Sequence, residues 1–217
     1  MPVELNLDSG ADAAQSANVR ERILDAARAE FAESGLRASS VRVIAANANV
    51  TAAMINYYFG SKRALYDQIV QEAQADLQGR LMRALAGAAP TELAPRLAAA
   101  YFDFLAEEHD FQRLILREVL DSGEGIGGYA QRYVAPMGAL FAQRFGDADA
   151  TVQAAISLFG AIAGYFLYSP VLAELLDDDP MSPERLAMRR RHIMSLADLL
   201  VRDIGATPSD DEKGRKR

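Results

Sequence analysis

The spacing of apolar residues is helical along almost the whole chain, and no other feature constrains the fold as strongly. Apolar side chains recur every three or four residues; for example, Ile23, Ala27 and Phe31 share one helical face. No window shows the alternating Val, Ile and Thr pattern of a half-buried strand, and Ala is abundant throughout. The sequence therefore predicts an all-α protein of about nine helices.

Capping and breaking residues divide this pattern into segments. The first helix is predicted from about Asn18 to Ser34, because Gly35 is a typical C-terminal stop. Thr51 and Ser61 are predicted to cap the starts of later helices. The remaining predicted helices are 91–108, 110–121, 127–145, 149–169 and 183–204.

Composition indicates two helical domains between two tails. Residues 1–17 and 205–217 are predicted to be disordered, with a smaller domain at 18–66 and a larger one at 67–204. The first residues have no basic start and no apolar run, so we predict no secretory signal and expect a cytoplasmic location.

Charge is distributed unevenly between these domains. The whole chain has a net charge of −7, but residues 18–66 carry +3 and residues 67–204 carry −8. A locally basic module on an acidic body is typical of a protein that binds nucleic acid through that module.

The chain contains no Cys and only two His. This composition excludes disulfides, thiolate zinc sites, cysteine nucleophiles and metal sites built from several imidazoles. We therefore predict no metal site and no cofactor.

Residues 39–66 have the pattern of a helix-turn-helix, in which two short helices cross steeply over a tight turn. Asn49 is the turn residue that tolerates positive φ, because its short amide side chain stabilises the left-handed conformation. The positions predicted to pack the two helices together are Ala45, Ala48, Val50 and Ile55. The second helix is then predicted to project outward, with its first residues at the base edges of the DNA major groove.

A set of motifs extends over residues 20–66: Arg22-Ile23-Leu24, Ala26-Ala27, Phe31, Gly35, Val41-Arg42, Ile44-Ala45, Val50-Thr51, Tyr58-Phe59, Ser61-Lys62 and Leu65. This set resembles the DNA-binding domain of the TetR family of bacterial transcription regulators. The sequence departs from the family at Asn49 (usually Gly), Asn56 (often Tyr) and Arg63 (usually Glu). The resemblance implies an N-terminal three-helix DNA-binding domain and a larger C-terminal helical domain that binds an effector and dimerises.

Given this resemblance, roles at double-stranded DNA can be assigned to individual residues. Lys62 and Arg42 are predicted phosphate anchors, and the hydroxyls of Tyr57 and Tyr58 are further candidates. The residues predicted to face the groove are Thr51, Ala52, Ala53 and Asn56. The alternatives are that the Tyr rings pack in the domain core and that Lys62 is a solvated surface charge.

Residues 151–173 contain no charged side chain, which is compatible with a membrane helix, a dimer helix or a monomer core. Polar residues within the run and acidic flanks disfavour a membrane span. Gly160 and Gly164 lie one turn apart, so a partner helix could approach closely. The resemblance implies a four-helix homodimer interface from helices 149–169 and 183–204. The predicted interface residues are Phe159, Gly160, Ala163, Gly164, Ile193, Leu196 and Leu200.

Aromatic and apolar residues also recur on the middle helices. They are compatible either with an ordinary core or with a cavity for a small, mostly apolar effector. Glu118 falls on an apolar face, where it would pair with an Arg or contact the ligand. The candidate pocket residues are Tyr101, Phe104, Glu118, Tyr133, Met137 and Phe141.

These observations favour a homodimeric, ligand-responsive repressor that binds a palindromic operator. An activator of the same fold and a helical scaffold protein without specific DNA recognition remain alternatives. An enzyme is disfavoured, because the sequence shows no nucleophile–base set, metal cluster or phosphate loop.

Overall fold

The computed structural model describes residues 8–108, 111–115 and 149–206. Within these ranges all regular secondary structure is helical, which confirms the predicted all-α class. The helices are α1 (Asp8–Ala38), α2 (Val41–Asn47), α3 (Ala52–Phe59), α4 (Lys62–Leu85), a 3₁₀ turn (Pro90–Glu92), α5 (Leu93–Glu107), α6 (Asp149–Leu167), α7 (Ser169–Leu176) and α8 (Pro183–Ala206). Of the predicted helix 110–121, residues 111–115 are described and helical, whereas the predicted helix 127–145 lies outside the described residues.

Helix α1 starts at Asp8, so the prediction of a disordered tail over 1–17 is wrong for residues 8–17. This segment has four Ala among its ten residues, and Ala has the highest helix propensity of any residue. A side-chain hydrogen bond of 3.2 Å between Ser16 Oγ and Tyr58 Oη also ties it to α3. At the other end, Gly35 leaves helical geometry with φ 73°, so the predicted stop at this residue is confirmed as a kink.

The described residues form two compact units. The first comprises residues 8–73 and 113–115, and the second comprises 74–108, 111–112 and 149–206. Helix α4 contributes to both, so the division falls inside a continuous helix and later than the predicted boundary after residue 66. No breaking residue follows position 66 until Gly79, and that glycine lies within the helix.

The first unit is organised around buried side chains from α1 to α4. Ile23, Phe31, Ile44, Ile55 and Leu65 are each fully buried. Burial of a side chain of this size contributes roughly 1.5–3 kcal/mol, so these residues contribute substantially to the stability of the first unit.

In the second unit, α5, α6 and α8 pack around buried aromatic and aliphatic side chains. The rings of Phe102 and Phe166 have centroids 5.2 Å apart, and Ile193 of α8 is fully buried. A two-pronged ion pair joins α5 to α8: Arg190 Nε and Nη2 donate to the two Asp103 carboxylate oxygens at 2.6 and 2.8 Å.

Helices α4 and α5 are joined at the surface of the second unit by Arg80 and Glu107. Arg80 donates to the Glu107 carboxylate and also to Asp76, one turn before it in α4. The hydrogen bond from the Arg80 guanidinium lowers the pKa of Glu107. A carboxylate with a lowered pKa stabilises the fold at neutral pH, and this contribution is lost as the pH falls through its folded-state pKa.

The predicted helix 149–169 corresponds to α6, and a further helix that was not predicted, α7, follows it. Helix α6 ends at Leu167, and α7 starts at Ser169 with Pro170 in its first turn. Proline is favoured at that position because the first N–H groups of a helix have no intrahelical partner, so Pro170 begins a helix instead of terminating one. Among the described helices no single one is long and apolar enough to cross a membrane; α6 and α7 pass that test only as a pair bent by 72°.

Candidate nucleic-acid interface

The turn between α2 and α3 has the predicted left-handed residue. Asn49 has φ 53°, and the backbone N–H of Val50 closes the turn by donating to the Ala45 carbonyl at 2.9 Å. Ala45 and Ala48 are buried where the helices approach, as the sequence predicted. The helix-turn-helix geometry therefore follows from a small-residue crossing and one residue that adopts positive φ.

Helix α3 has a defined start and end. Thr51 is its N-cap, and its hydroxyl oxygen accepts a hydrogen bond of 3.3 Å from the Met54 backbone N–H. Gly60 ends the helix with φ 79°. The Ser61 hydroxyl then accepts from the Ala64 N–H at 3.0 Å, which confirms the predicted cap at the start of α4. These caps matter because a helix of eight residues gains little stability from its own hydrogen bonds.

The two faces of α3 differ in exposure. Ile55 and Phe59 are buried in the first unit, whereas Ala53, Asn56 and Tyr57 are exposed and follow the i, i+3, i+4 spacing of one helical face. Thr51 and Arg42 are also exposed, and Ala52 is partly exposed. Most of the residues predicted to contact DNA therefore lie at the surface, and their contacts with DNA remain predictions.

Tyr57 and Tyr58 have different environments. Tyr57 is 84% exposed, so its hydroxyl is accessible to a phosphate. Tyr58 is half-buried, and its hydroxyl is hydrogen-bonded to Ser16. The core-packing alternative thus describes Tyr58 better than Tyr57.

The ammonium group of Lys62 has partners within the protein. It donates to the carbonyl oxygens of Arg37 at 3.2 Å and Ser39 at 2.8 Å; Arg37 lies in the last turn of α1, after the kink at Gly35, and Ser39 follows the end of that helix. Arg63, the next residue, donates to Asp67 at 2.9 Å, so the cation at this departure from the family pattern is neutralised locally.

Sequence analysis did not identify Glu30 as part of this region. Its carboxylate accepts a hydrogen bond of 3.0 Å from the backbone N–H of Ser40, the N-cap residue of α2. In the sequence, the helix stop predicted at Gly35 indicates a change of chain direction before α2. It does not indicate which side chain bonds to the backbone there.

Of the predicted effector-pocket residues, Tyr101 and Phe104 lie in the described part of the second unit. Phe104 is fully buried with its ring edge-to-face against Phe111, which favours the core interpretation for this residue. Tyr101 is half-buried, stacks on Phe159 at 5.5 Å and accepts a hydrogen bond from the Gln112 side chain. The other four candidates, Glu118, Tyr133, Met137 and Phe141, lie outside the described residues.

The predicted dimer residues divide into two groups. Phe159 and Gly160 are exposed, and Gly164, Leu196 and Leu200 are partly exposed. Ala163 and Ile193 are instead buried inside the protomer, with 8% and 0% of their surface exposed, and the interface between chains stays a prediction. Both follow helical spacing with the exposed residues, and each lies on a helix that packs on α5 within the second unit.

The exposed apolar residues of α6 and α8 include several that were not predicted. Val152, Ile156 and Phe159 follow one face of α6, and Met188 and Leu199 lie on α8. Helix α7 has no buried residue and exposes Val171 and Leu175. Among the described residues, no group of acidic or His side chains has an arrangement suited to a metal ion.

Comparison with known proteins connects this geometry to a family. Residues 23–69 match the model of the bacterial regulatory proteins of the tetR family. The chain is 30% identical over 173 residues to the HTH-type transcriptional repressor Rv3405c of Mycobacterium tuberculosis H37Rv, covering 78% of this chain and 84% of that protein. It is also 30% identical to the regulator YttP of Bacillus subtilis, but over 105 residues, which are 47% of this chain and about half (51%) of that protein.

A solved structure shows the same fold. A TetR-like transcriptional regulator from Rhodococcus sp. RHA1 superposes with a TM-score of 0.64 at 21% identity, over 87% of this chain and 97% of that one. The alignment thus extends well beyond the helix-turn-helix and includes helices of the second unit.

Proposed function

Because this chain belongs to the TetR family of bacterial regulatory proteins, we propose that it is a homodimeric repressor that binds a palindromic operator and is released by a small, mostly apolar effector. The observation that carries the proposal is the exposed face of α3, which follows a left-handed turn at Asn49 and a cap at Thr51. A cytoplasmic location is part of the proposal, because a bacterial operator lies in the cytoplasm.

The DNA contacts are proposed from chemistry and exposure. The amide of Asn56 can read adenine through two hydrogen bonds, and the methyl groups of Ala53 and Thr51 can contact thymine methyls. Arg42 and Tyr57 are exposed on the same unit and would bind phosphate. The net charge of +3 over residues 18–66 favours approach to the DNA backbone.

A dimer is proposed because one recognition helix reads too few base pairs to select a genomic site. Support comes from the exposed apolar residues on α6 and α8, of which Phe159 is 57% and Leu199 is 61% exposed. At Gly160, an added Cβ would meet no atom of the described residues within 4 Å apart from the helix's own backbone, so packing among these residues does not require a glycine there. Close approach by a second chain would explain a glycine at an exposed helical position.

Control by an effector is proposed through linkage. A molecule that binds better to a dimer whose recognition helices are badly spaced must weaken operator binding, and the operator must weaken binding of that molecule by the same factor. A repressor is proposed instead of an activator because the relative Rv3405c is named a repressor.

The test starts with selection of bound fragments from genomic DNA by the full-length protein. Affinity for the selected palindrome and for random duplex is then measured over a range of salt concentrations. We expect the palindrome to bind at least about a thousandfold more tightly, with a stoichiometry of one dimer per site. Equal affinity for both duplexes would contradict specific regulation and favour the scaffold alternative. Transcription from the adjacent promoter, with and without the protein, separates a repressor from an activator.

A further inference from the structure

We propose that Lys62 and Glu30 are positioning residues, which fix the entry of the helix-turn-helix and thereby align α3 for base reading. In this proposal the Lys62 ammonium forms hydrogen bonds with the protein backbone and does not bind a DNA phosphate. The proposal rests on the DNA-binding function proposed above, and it assigns to these residues a role in specificity without a DNA contact.

The first argument is the chain connectivity around Lys62. The helix-turn-helix is entered through the segment between α1 and α2 and left through Gly60 and Ser61. Lys62 immediately follows that exit, yet its ammonium donates to the carbonyls of Arg37 and Ser39 at the entry. One side chain therefore joins the two ends of the segment that contains α2 and α3.

The second argument is the backbone at the entry. The chain changes direction at Gly35, which has φ 73°, and carbonyls at the end of a helix have no partner within that helix. The Lys62 ammonium donates to two carbonyls at this helix end with charge-assisted hydrogen bonds, which are stronger than neutral ones.

Glu30 holds the same segment from α1. Its carboxylate accepts the Ser40 N–H at 3.0 Å, while the Ser39 hydroxyl donates back to the Leu36 carbonyl at 2.9 Å. A cation from α4 thus binds carbonyls and an anion from α1 binds an N–H within the same few residues. Because each side chain bonds to backbone groups of this segment, the two side chains together fix the position of its backbone.

Positioning and phosphate anchoring have different consequences for DNA binding. Reading of base edges requires hydrogen-bond geometry, so a small displacement of α3 weakens binding to the operator. Attraction to the phosphate backbone depends on charge and tolerates such a displacement. Loss of positioning therefore lowers the ratio of operator affinity to random-duplex affinity, whereas loss of a phosphate anchor lowers both affinities.

The opposite charges of the two residues make the test sharp. Lys62→Met removes a positive charge and Glu30→Ala removes a negative charge, so an effect of charge alone would change affinity in opposite directions. We expect both variants to lower the affinity ratio by roughly tenfold, since Lys62→Met loses two hydrogen bonds donated by an ammonium and Glu30→Ala loses one accepted by a carboxylate. The controls are Arg42→Met, at a proposed phosphate contact, and Glu33→Ala, at an exposed acid on the same helix as Glu30.

Arg42→Met should reduce both affinities and lower the salt slope by ~0.9, leaving the ratio unchanged. Glu33→Ala should leave the ratio unchanged. Far-UV circular dichroism and thermal unfolding identify the temperature range in which every variant is folded, and binding is measured within that range. In the free protein, Lys62→Met and Glu30→Ala should also accelerate amide hydrogen exchange at Ser40, whereas the controls should not.

The proposal is overturned if Lys62→Met behaves like Arg42→Met, with an unchanged ratio and a reduced salt slope. It is also overturned if exchange at Ser40 is the same as in the original protein. A wild-type chain that does not discriminate operator from random duplex would instead contradict the proposed function, and the exchange experiment would still decide whether the two side chains hold the segment.

Discussion

At neighbouring positions of α3, Tyr57 and Tyr58 show how local burial separates two chemically identical residues. The Tyr57 ring is 84% exposed, whereas Tyr58 is half-buried with its hydroxyl on Ser16. One hydroxyl can contribute to binding a partner, while the other contributes to holding α1 against α3.

We predict that removing the Tyr57 hydroxyl affects operator affinity, whereas removing the Tyr58 hydroxyl affects thermal stability. Tyr57→Phe should weaken operator binding by about tenfold, the value for a hydrogen bond to a charged group, without changing the thermal midpoint. Tyr58→Phe should lower the thermal midpoint slightly and leave operator affinity unchanged. Fluorescence anisotropy and calorimetry measure the two quantities on the same samples. Equal losses of affinity in both variants would contradict the assignment.

At the scale of elements, α2 and α3 depend on one turn and on the caps around it. Asn49 adopts φ 53° and Thr51 caps α3, so residues next to the short helices determine where they start and how they cross. In the second unit, Pro170 in the first turn of α7 has a comparable effect, because it sets where that helix begins after the bend.

We predict that the turn discriminates between substitutions at Asn49. Asn49→Ala should destabilise the protein by about 1 kcal/mol, since a side chain with a Cβ and no amide pays the full cost of positive φ. Asn49→Gly should be close to neutral, because glycine adopts this conformation readily. Urea unfolding followed by circular dichroism measures both. A stability for the Ala variant equal to that of the original chain would show that the turn imposes no such cost.

At the scale of the whole molecule, the described chain consists of two compact units that share α4. The first contains the exposed face of α3, and the second contains the exposed apolar residues of α6, α7 and α8. The proposed function needs both, because base reading by one helix becomes selective only when it is duplicated in a dimer.

We predict that a larger side chain at Gly160 separates folding from assembly. Gly160→Leu should leave the protomer folded, since a Cβ there meets no atom of the described residues beyond its own helix backbone within 4 Å, but should prevent close approach of a second chain. Sedimentation velocity should then show monomers, and operator affinity should fall. The control is Ala29→Leu, at an exposed position of α1, a helix that is not part of the proposed interface. If the Gly160 variant forms dimers of unchanged stability, this face of α6 is not the dimer interface.

The sequence was sufficient to predict features that depend on residues close together in the chain. Helical periodicity, the caps at Thr51 and Ser61, the kink at Gly35 and the turn at Asn49 each depend on a few neighbouring residues. For the same reason, the exposed face of α3 could be predicted from the positions of Ile55 and Phe59.

Only the tertiary structure decided which side chains meet across long separations. Lys62 bonds to carbonyls 23 and 25 residues away, and Glu30 bonds to an N–H 10 residues away. Ala163 and Ile193 are buried within the protomer, although their spacing matches that of exposed neighbours. Periodicity identifies an apolar face but not what covers it, because coverage depends on the placement of distant helices and leaves no local signal.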